Sequence, residues 1–204
     1  MSNLNQSDQV QDQHHQQQPH ALPLADVAAA EDVVSSDVVF EGAVWNIRRD
    51  VVTYRDNKIT REYVDHTGAV AVLALDDQNR VLLIQQYRHP VGMRDWELPA
   101  GLLDAEGESN LAAAQRELAE EVDLKADDWS KLVSFHTTPG GSNEIVHVFL
   151  ARGISATPTF NREDEEADIV VGWVPLEDVV AAILAGSLTN SILMIAVLAA
   201  HARL

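Results

Sequence analysis

GLLDAEGESNLAAAQRELAEEVDL, residues Gly101 to Leu124, is the stretch on which the fold turns. Its second half is rich in Ala, Leu and Glu, and Leu111, Ala114, Leu118 and Val122 recur at the spacing of an amphipathic helix packed on a core. Glu117, Glu120 and Glu121 stand three and four residues apart, so a rotation of about 100° per residue gathers their carboxylates on an adjacent face. Like charges so placed repel by roughly a few tenths of a kcal/mol per pair. A divalent cation turns that repulsion into attraction, and all-oxygen donors suit a hard ion such as Mg²⁺ or Mn²⁺. The ordinary alternative is a solvated acidic face. Here Gly101 and Gly107 mark a loop just upstream, and Glu108 stands eight residues before Arg116, which sets the segment apart from an arbitrary Glu-rich helix.

Around that segment, 204 residues suit one domain with appendages. A hydrophobic fraction of 46% is enough for a core. The net charge of −18 argues against nucleic acid or an anionic membrane as the main partner, since both need basic patches. The same charge requires metal ions and local arginines to reverse the sign wherever an anionic substrate binds. With no cysteine there is no disulfide, thiol nucleophile or zinc–sulfur site, in keeping with a reducing cytoplasm. The N-terminus shows no secretory signal pattern, and the longest apolar stretch, Ile192 to Ala200, is too short to span a bilayer.

Residues 1–35, rich in Gln, Asp, Ser and His, read as a disordered tail. Residues 36–66 carry β-branched and aromatic runs, Val38 to Phe40, Ala43 to Ile47 and Val51 to Tyr54, and predict a small antiparallel sheet. Residues 67–204 then form the main domain. Gly68 to Leu75 is a continuous apolar run, as in a strand covered on both faces. It is expected to turn at Asp76–Asn79 and return as Val81 to Tyr87, a hairpin at the centre of the fold. Arg88 at the strand end offers a planar fork to a phosphate or pairs with a carboxylate. Further strands are expected at Lys131 to Thr137, Ile145 to Ala151 and Ile169 to Val174, and helices at Leu176 to Leu184 and Asn190 to Ala202.

From Glu108 to Leu124 the sequence resembles the signature box of the Nudix hydrolase superfamily: Gly, five residues, Glu, seven residues, then Arg-Glu-apolar-any-Glu-Glu-any-Gly-apolar. Two positions depart from it. Six residues separate Gly101 from Glu108, and Asp123 stands where the family has a helix-ending Gly. Asp tolerates the left-handed conformation required there better than most residues, at a cost of roughly 1 kcal/mol. Gln86-Tyr87-Arg88, Glu97-Leu98-Pro99-Ala100-Gly101 and Thr138-Pro139-Gly140 resemble the ADP-ribose pyrophosphatase branch, which carries a Pro fifteen or sixteen residues past the box. Pro139 lies sixteen after Asp123, with Thr138 in place of the usual Ser.

The resemblance implies an α+β Nudix fold, an α/β/α sandwich with a mixed central sheet and a small N-terminal antiparallel sheet that crosses to a second subunit in a homodimer. It implies hydrolysis of ADP-ribose to AMP and ribose 5-phosphate with Mg²⁺, or Mn²⁺ in its place. Glu117, Glu121 and Glu120 are the expected metal ligands, joined by Glu108 and the backbone carbonyl of Ala100. Arg116 steadies Glu108, and Glu165, with Glu166 next, is expected to orient or deprotonate the attacking water. Arg88, Glu97, Pro139 and Glu144 are expected to meet the substrate, with metal binding the alternative for Glu97, and Trp45 either stacks on a purine or lies buried in the sheet or the dimer contact. The box alone does not separate ADP-ribose from other nucleoside diphosphate sugars or dinucleotides, since it grips the pyrophosphate they share. A sensor that binds without cleaving would be expected to lack box carboxylates, all of which are kept here.

Overall fold

The computed structural model describes residues 24–159 and 168–204. Residues 1–23 of the expected tail lie outside that range. The described residues divide into two units, the first ending at Glu31, and its residues 24–31 are exposed and have no regular structure. The second unit begins at Asp32, and its first strand starts at Val33, three residues before the expected boundary.

Three antiparallel strands open this unit: β1 (Val33–Glu41), β2 (Asn46–Tyr54) and β3 (Asn57–Asp65). Ala43 to Trp45, expected within a strand, form the connection between β1 and β2 instead. Every residue of β1 is exposed.

The central strand is β4 (Ala69–Ala74), the continuous apolar run. Its alternate side chains enter two different cores. Ala69, Ala71 and Leu73 pack with residues of α2 (Leu176–Leu184) and α3 (Ser191–His201). Val70, Val72 and Ala74 pack with Ala113, Ala114, Leu118 and Val122 of α1 (Asn110–Val122). This double coverage is the physical reason the run lacks polar alternation. Around β4 lies a mixed sheet in the order β7–β4–β9–β8, comprising β7 (Ala100–Leu102), β9 (Ile145–Ala156) and β8 (Leu124–His136). Only the β4–β9 pairing in it is parallel.

The expected β4–β5 hairpin requires correction. β5 (Arg80–Arg88) belongs to another sheet, ordered β10–β5–β6, with β6 (Met93–Glu97) and β10 (Val170–Pro175). A single bridge, Leu75 with Val81, joins the two strands beside the turn. The turn itself is fixed by Asp76, whose carboxylate accepts the backbone N–H groups of Gln78 and Arg80 at 2.9 and 2.8 Å. Both helices after β10 fall where the apolar spacing places them, and Asn190 caps α3 by accepting the Leu193 N–H at 3.1 Å.

Candidate active site

Helix α1 starts at a cap that Ser109 provides, its hydroxyl accepting the Ala112 N–H at 3.2 Å. It ends at Asp123 in the left-handed region, φ 57° and ψ 36°, where the family pattern has Gly. The buried stripe differs from the expected one. Leu111 is 37% exposed, whereas Glu117 and Glu121 are only 9% and 5% exposed and lie within the stripe. Both point at β7. Glu121 accepts the Ala100 N–H at 3.0 Å, so Ala100 meets the acidic helix through its amide. Glu117 occupies the space above Gly101, where a Cβ would stand 1.9 Å from its Oε1. Gly101 is therefore required by a close approach.

Arg116 gathers the remaining carboxylates. Its Nε and Nη2 donate to the two oxygens of Glu108 at 3.1 and 3.0 Å, while Nη1 donates to Glu117 at 2.6 Å and Glu120 at 3.1 Å. The bonds to Glu108, followed by the negative charge and bonds of Glu117 and Glu120, hold the guanidinium even more firmly protonated than usual, against its partial burial.

A second polar group stands on the same side of the molecule. Leu82 and Ile84 of β5 pack with α1, and strand alternation puts Gln86 and Arg88 on that face, with Glu97 opposite Ile84. Arg88 grips Glu97 through two bonds of 2.8 Å, and the Gln86 amide lies 3.4 Å from the same carboxylate. Of the two partners open to a strand-end Arg, the structure holds a carboxylate. Glu97 is 4% exposed, a buried charge for which the bidentate partner compensates.

Pro139 lies in the loop between β8 and β9, together with Gly140, Ser142 and Asn143. These residues and Asp50, Arg61, Glu62, Tyr63 and His136 line a cleft of about 520 Å³. Glu144 closes the loop, accepting the Thr137 hydroxyl at 2.6 Å and lying 3.4 Å from His66. Trp45 stacks on the His66 ring, with centroids 4.2 Å apart and planes 20° from parallel. The sequence does not announce His66 beside this loop, because Trp45 and Glu144 lie far from it along the chain. Glu165 and Glu166 lie outside the described residues.

Helix α1, with its glycine-lined loop and clustered carboxylates, packed on a mixed sheet, defines a Nudix domain. Residues 65–192 match the NUDIX domain family, and the chain belongs to it. It is 45% identical to an ADP-ribose pyrophosphatase of Mycobacterium tuberculosis over 84% of this chain and 83% of that protein. It is 38% identical to an ADP-ribose pyrophosphatase of Bacillus subtilis, over 72% and 80% respectively. In fold it resembles a crystal structure of an ADP compounds hydrolase, with a TM-score of 0.72 at 19% identity, covering 87% of this chain and 95% of that one.

Family membership implies a divalent metal. The donor chemistry fits: Glu108, Glu117, Glu120 and Glu121 supply only oxygen, from one helix and the loop that leads into it. Among the described residues no three such groups converge in ion-holding geometry. Arg116 bonds three of the four carboxylates, so an ion would take over Glu117 and Glu120 from it.

Proposed function

We propose that the chain is a metal-dependent hydrolase that splits the pyrophosphate of ADP-ribose into AMP and ribose 5-phosphate. The observation that carries this reading is the burial of Glu117 and Glu121, two carboxylates one helical turn apart, directly beside the Arg116 cluster. Buried carboxylates on an otherwise apolar stripe cost stability, and a metal-binding function is a reason for that cost to be kept. The names of the two bacterial relatives supply the substrate.

Water adds across the P–O–P bridge: its hydroxyl joins one phosphorus, and the bridging oxygen leaves with the other. When bound, Mg²⁺, or Mn²⁺ in its place, neutralises phosphate charge and acidifies water. Glu117 and Glu121 are the proposed principal donors to the ion, with Glu120, Glu108 and Ala100 adding to them. Arg116 restrains the carboxylates in the meantime. Arg88, oriented by Glu97, is the proposed phosphate or ribose contact, and Pro139, Glu144 and Trp45 line the substrate side. Glu165 is proposed, from the sequence alone, to orient the attacking water.

AMP release from ADP-ribose with Mg²⁺, compared between the protein and Glu117→Gln, tests this. Removing a ligand charge while keeping shape is expected to lower kcat by about 100-fold or more. Undiminished turnover in the variant would exclude Glu117 as a ligand. Hydrolysis confined to other nucleoside diphosphate sugars or dinucleotides would overturn the substrate.

A homodimer built through the N-terminal sheet is proposed as well. β1 is an edge strand that exposes Val33, Val34, Val38, Val39 and Phe40, and apolar edges of this kind are normally covered. A cytoplasmic location is proposed from the absence of cysteine.

A further inference from the structure

The end of β3 and the loop after β8 are fastened together at several points. Val64 donates its N–H to the Gly141 carbonyl at 2.9 Å and bridges Ser142 in parallel. Asn143 accepts the His66 N–H on Oδ1 at 2.7 Å and donates its amide to Asp65 at 3.1 Å.

The His66 imidazole is held from three directions. Its Nδ1 accepts the Gly68 N–H at 2.9 Å, so a neutral ring carries its proton on Nε2. That Nε2 faces Glu144 Oε1 at 3.4 Å, and Trp45 covers the ring face. The other Glu144 oxygen takes the Thr137 hydroxyl. Only 9% of the His66 side chain and 21% of the Glu144 side chain is exposed.

Gly68 ties this cluster to the box. Its N–H holds His66, while its carbonyl accepts the Leu103 N–H at 3.0 Å, at the head of the loop leading to α1. Its φ is +91°, and a Cβ there would come within 3.3 Å of the Ile145 carbonyl, next to Glu144. Gly68 therefore holds the box loop directly and the 138–144 loop through His66. If the purpose were only to hold sheet and loop together, apolar contacts would serve as well or better than a half-buried carboxylate against an imidazole. What the polar cluster adds is a fixed direction for Glu144.

We propose that His66 is a positioning residue for substrate binding. It holds the Glu144 carboxylate, and with it the 138–144 loop, at a set distance from the acidic helix. This rests on the proposal that the loop meets the substrate.

The test is steady-state kinetics on ADP-ribose for His66→Ala, His66→Gln and Glu144→Ala, with Mg²⁺ half-activation and thermal unfolding measured alongside. His66→Ala is expected to raise KM about tenfold while kcat and Mg²⁺ half-activation change by less than about twofold. His66→Gln, whose amide still reaches Glu144, is expected to recover most of the KM. Adding His66→Ala to Glu144→Ala should raise KM no further, because the two act as one unit. Should His66→Ala not fold, His66→Asn, which can still accept the Gly68 N–H but is too short to reach Glu144, is expected to raise KM in the same selective way. A folded His66→Ala that lowers only the melting temperature, while Glu144→Ala raises KM, overturns the role of His66. An unchanged KM in Glu144→Ala overturns the assignment of the loop itself.

Discussion

At Gly101 the missing side chain is what lets the site form, because the Glu117 carboxylate fills the space a Cβ would take. In Gly101→Ala the overlap runs from Oε1 to Cγ of Glu117, so the whole buried side chain must swing away from its bond to Arg116, and the stability loss should lie toward the upper end of the roughly 1–3 kcal/mol typical of overpacking. The same swing moves the carboxylate by more than about an ångström, and kcat is expected to drop about 100-fold. Kinetics and thermal unfolding of one preparation separate the two effects, and a variant that keeps its kcat would show that the placement of Glu117 is unimportant. The spacing of Arg116, Glu117 and Glu121 was legible because the helical repeat sets it, but the burial of the two glutamates was not, since it depends on the approach of β7. His66 was not, since its contacts to Asn143 and Glu144 join residues 77 and 78 positions apart in the chain. Arg88 was legible as a fork, but the choice of Glu97 as its partner depends on the register of β5 with β6.

Among the elements, α1, α2 and α3 follow from apolar spacing and their end residues. The assignment of β4 and β5 to separate sheets does not, because an apolar run specifies burial and leaves the pairing partner open. Strand β9 also carries a residue with a pH consequence. Its His147 lies opposite Ser134 of β8, whose hydroxyl is 2.7 Å from Nδ1. Burial, and then the nearby Lys131 charge, disfavour the protonated ring and lower its pKa. As pH falls through about 6.5, the unfolded chain takes up a proton at this position that the folded chain refuses. The contribution of this residue is therefore fully present above that pH and declines below it until the folded chain also takes up the proton. His147→Gln should flatten this acid-side loss, read as urea midpoints at pH 7.5, 6.5 and 5.5. Parallel curves for the two proteins would clear His147 of the effect.

For the whole molecule, the exposed β1 edge makes a concrete demand. Light scattering is expected to give twice the chain mass, and Phe40→Glu, a change at a residue 62% exposed in the single chain, should halve it. A wild-type protein that is monomeric and fully active would dispose of the dimer. The N-terminal sheet was legible as β structure. Its attachment to the main domain through Val64, Asp65 and His66 was not, because it depends on a loop that reads in isolation as a simple turn.

The parallel pairing of β4 with β9 also governs the order in which the molecule can assemble. Ala69 opposes Val146, and the whole box, from its glycine loop through α1, lies in the chain between them. Closing so long a loop carries an entropic cost before any contact rewards it, and topologies of this kind fold slowly. The acidic helix, 13 residues long, is marginal on its own, and the sheet that presents β7 to Glu117 and Glu121 is incomplete until β9 pairs with β4. Catalytic competence would then arrive only after β9 has been made, and a nascent or partly folded molecule would carry the signature residues without the arrangement that gives them their use.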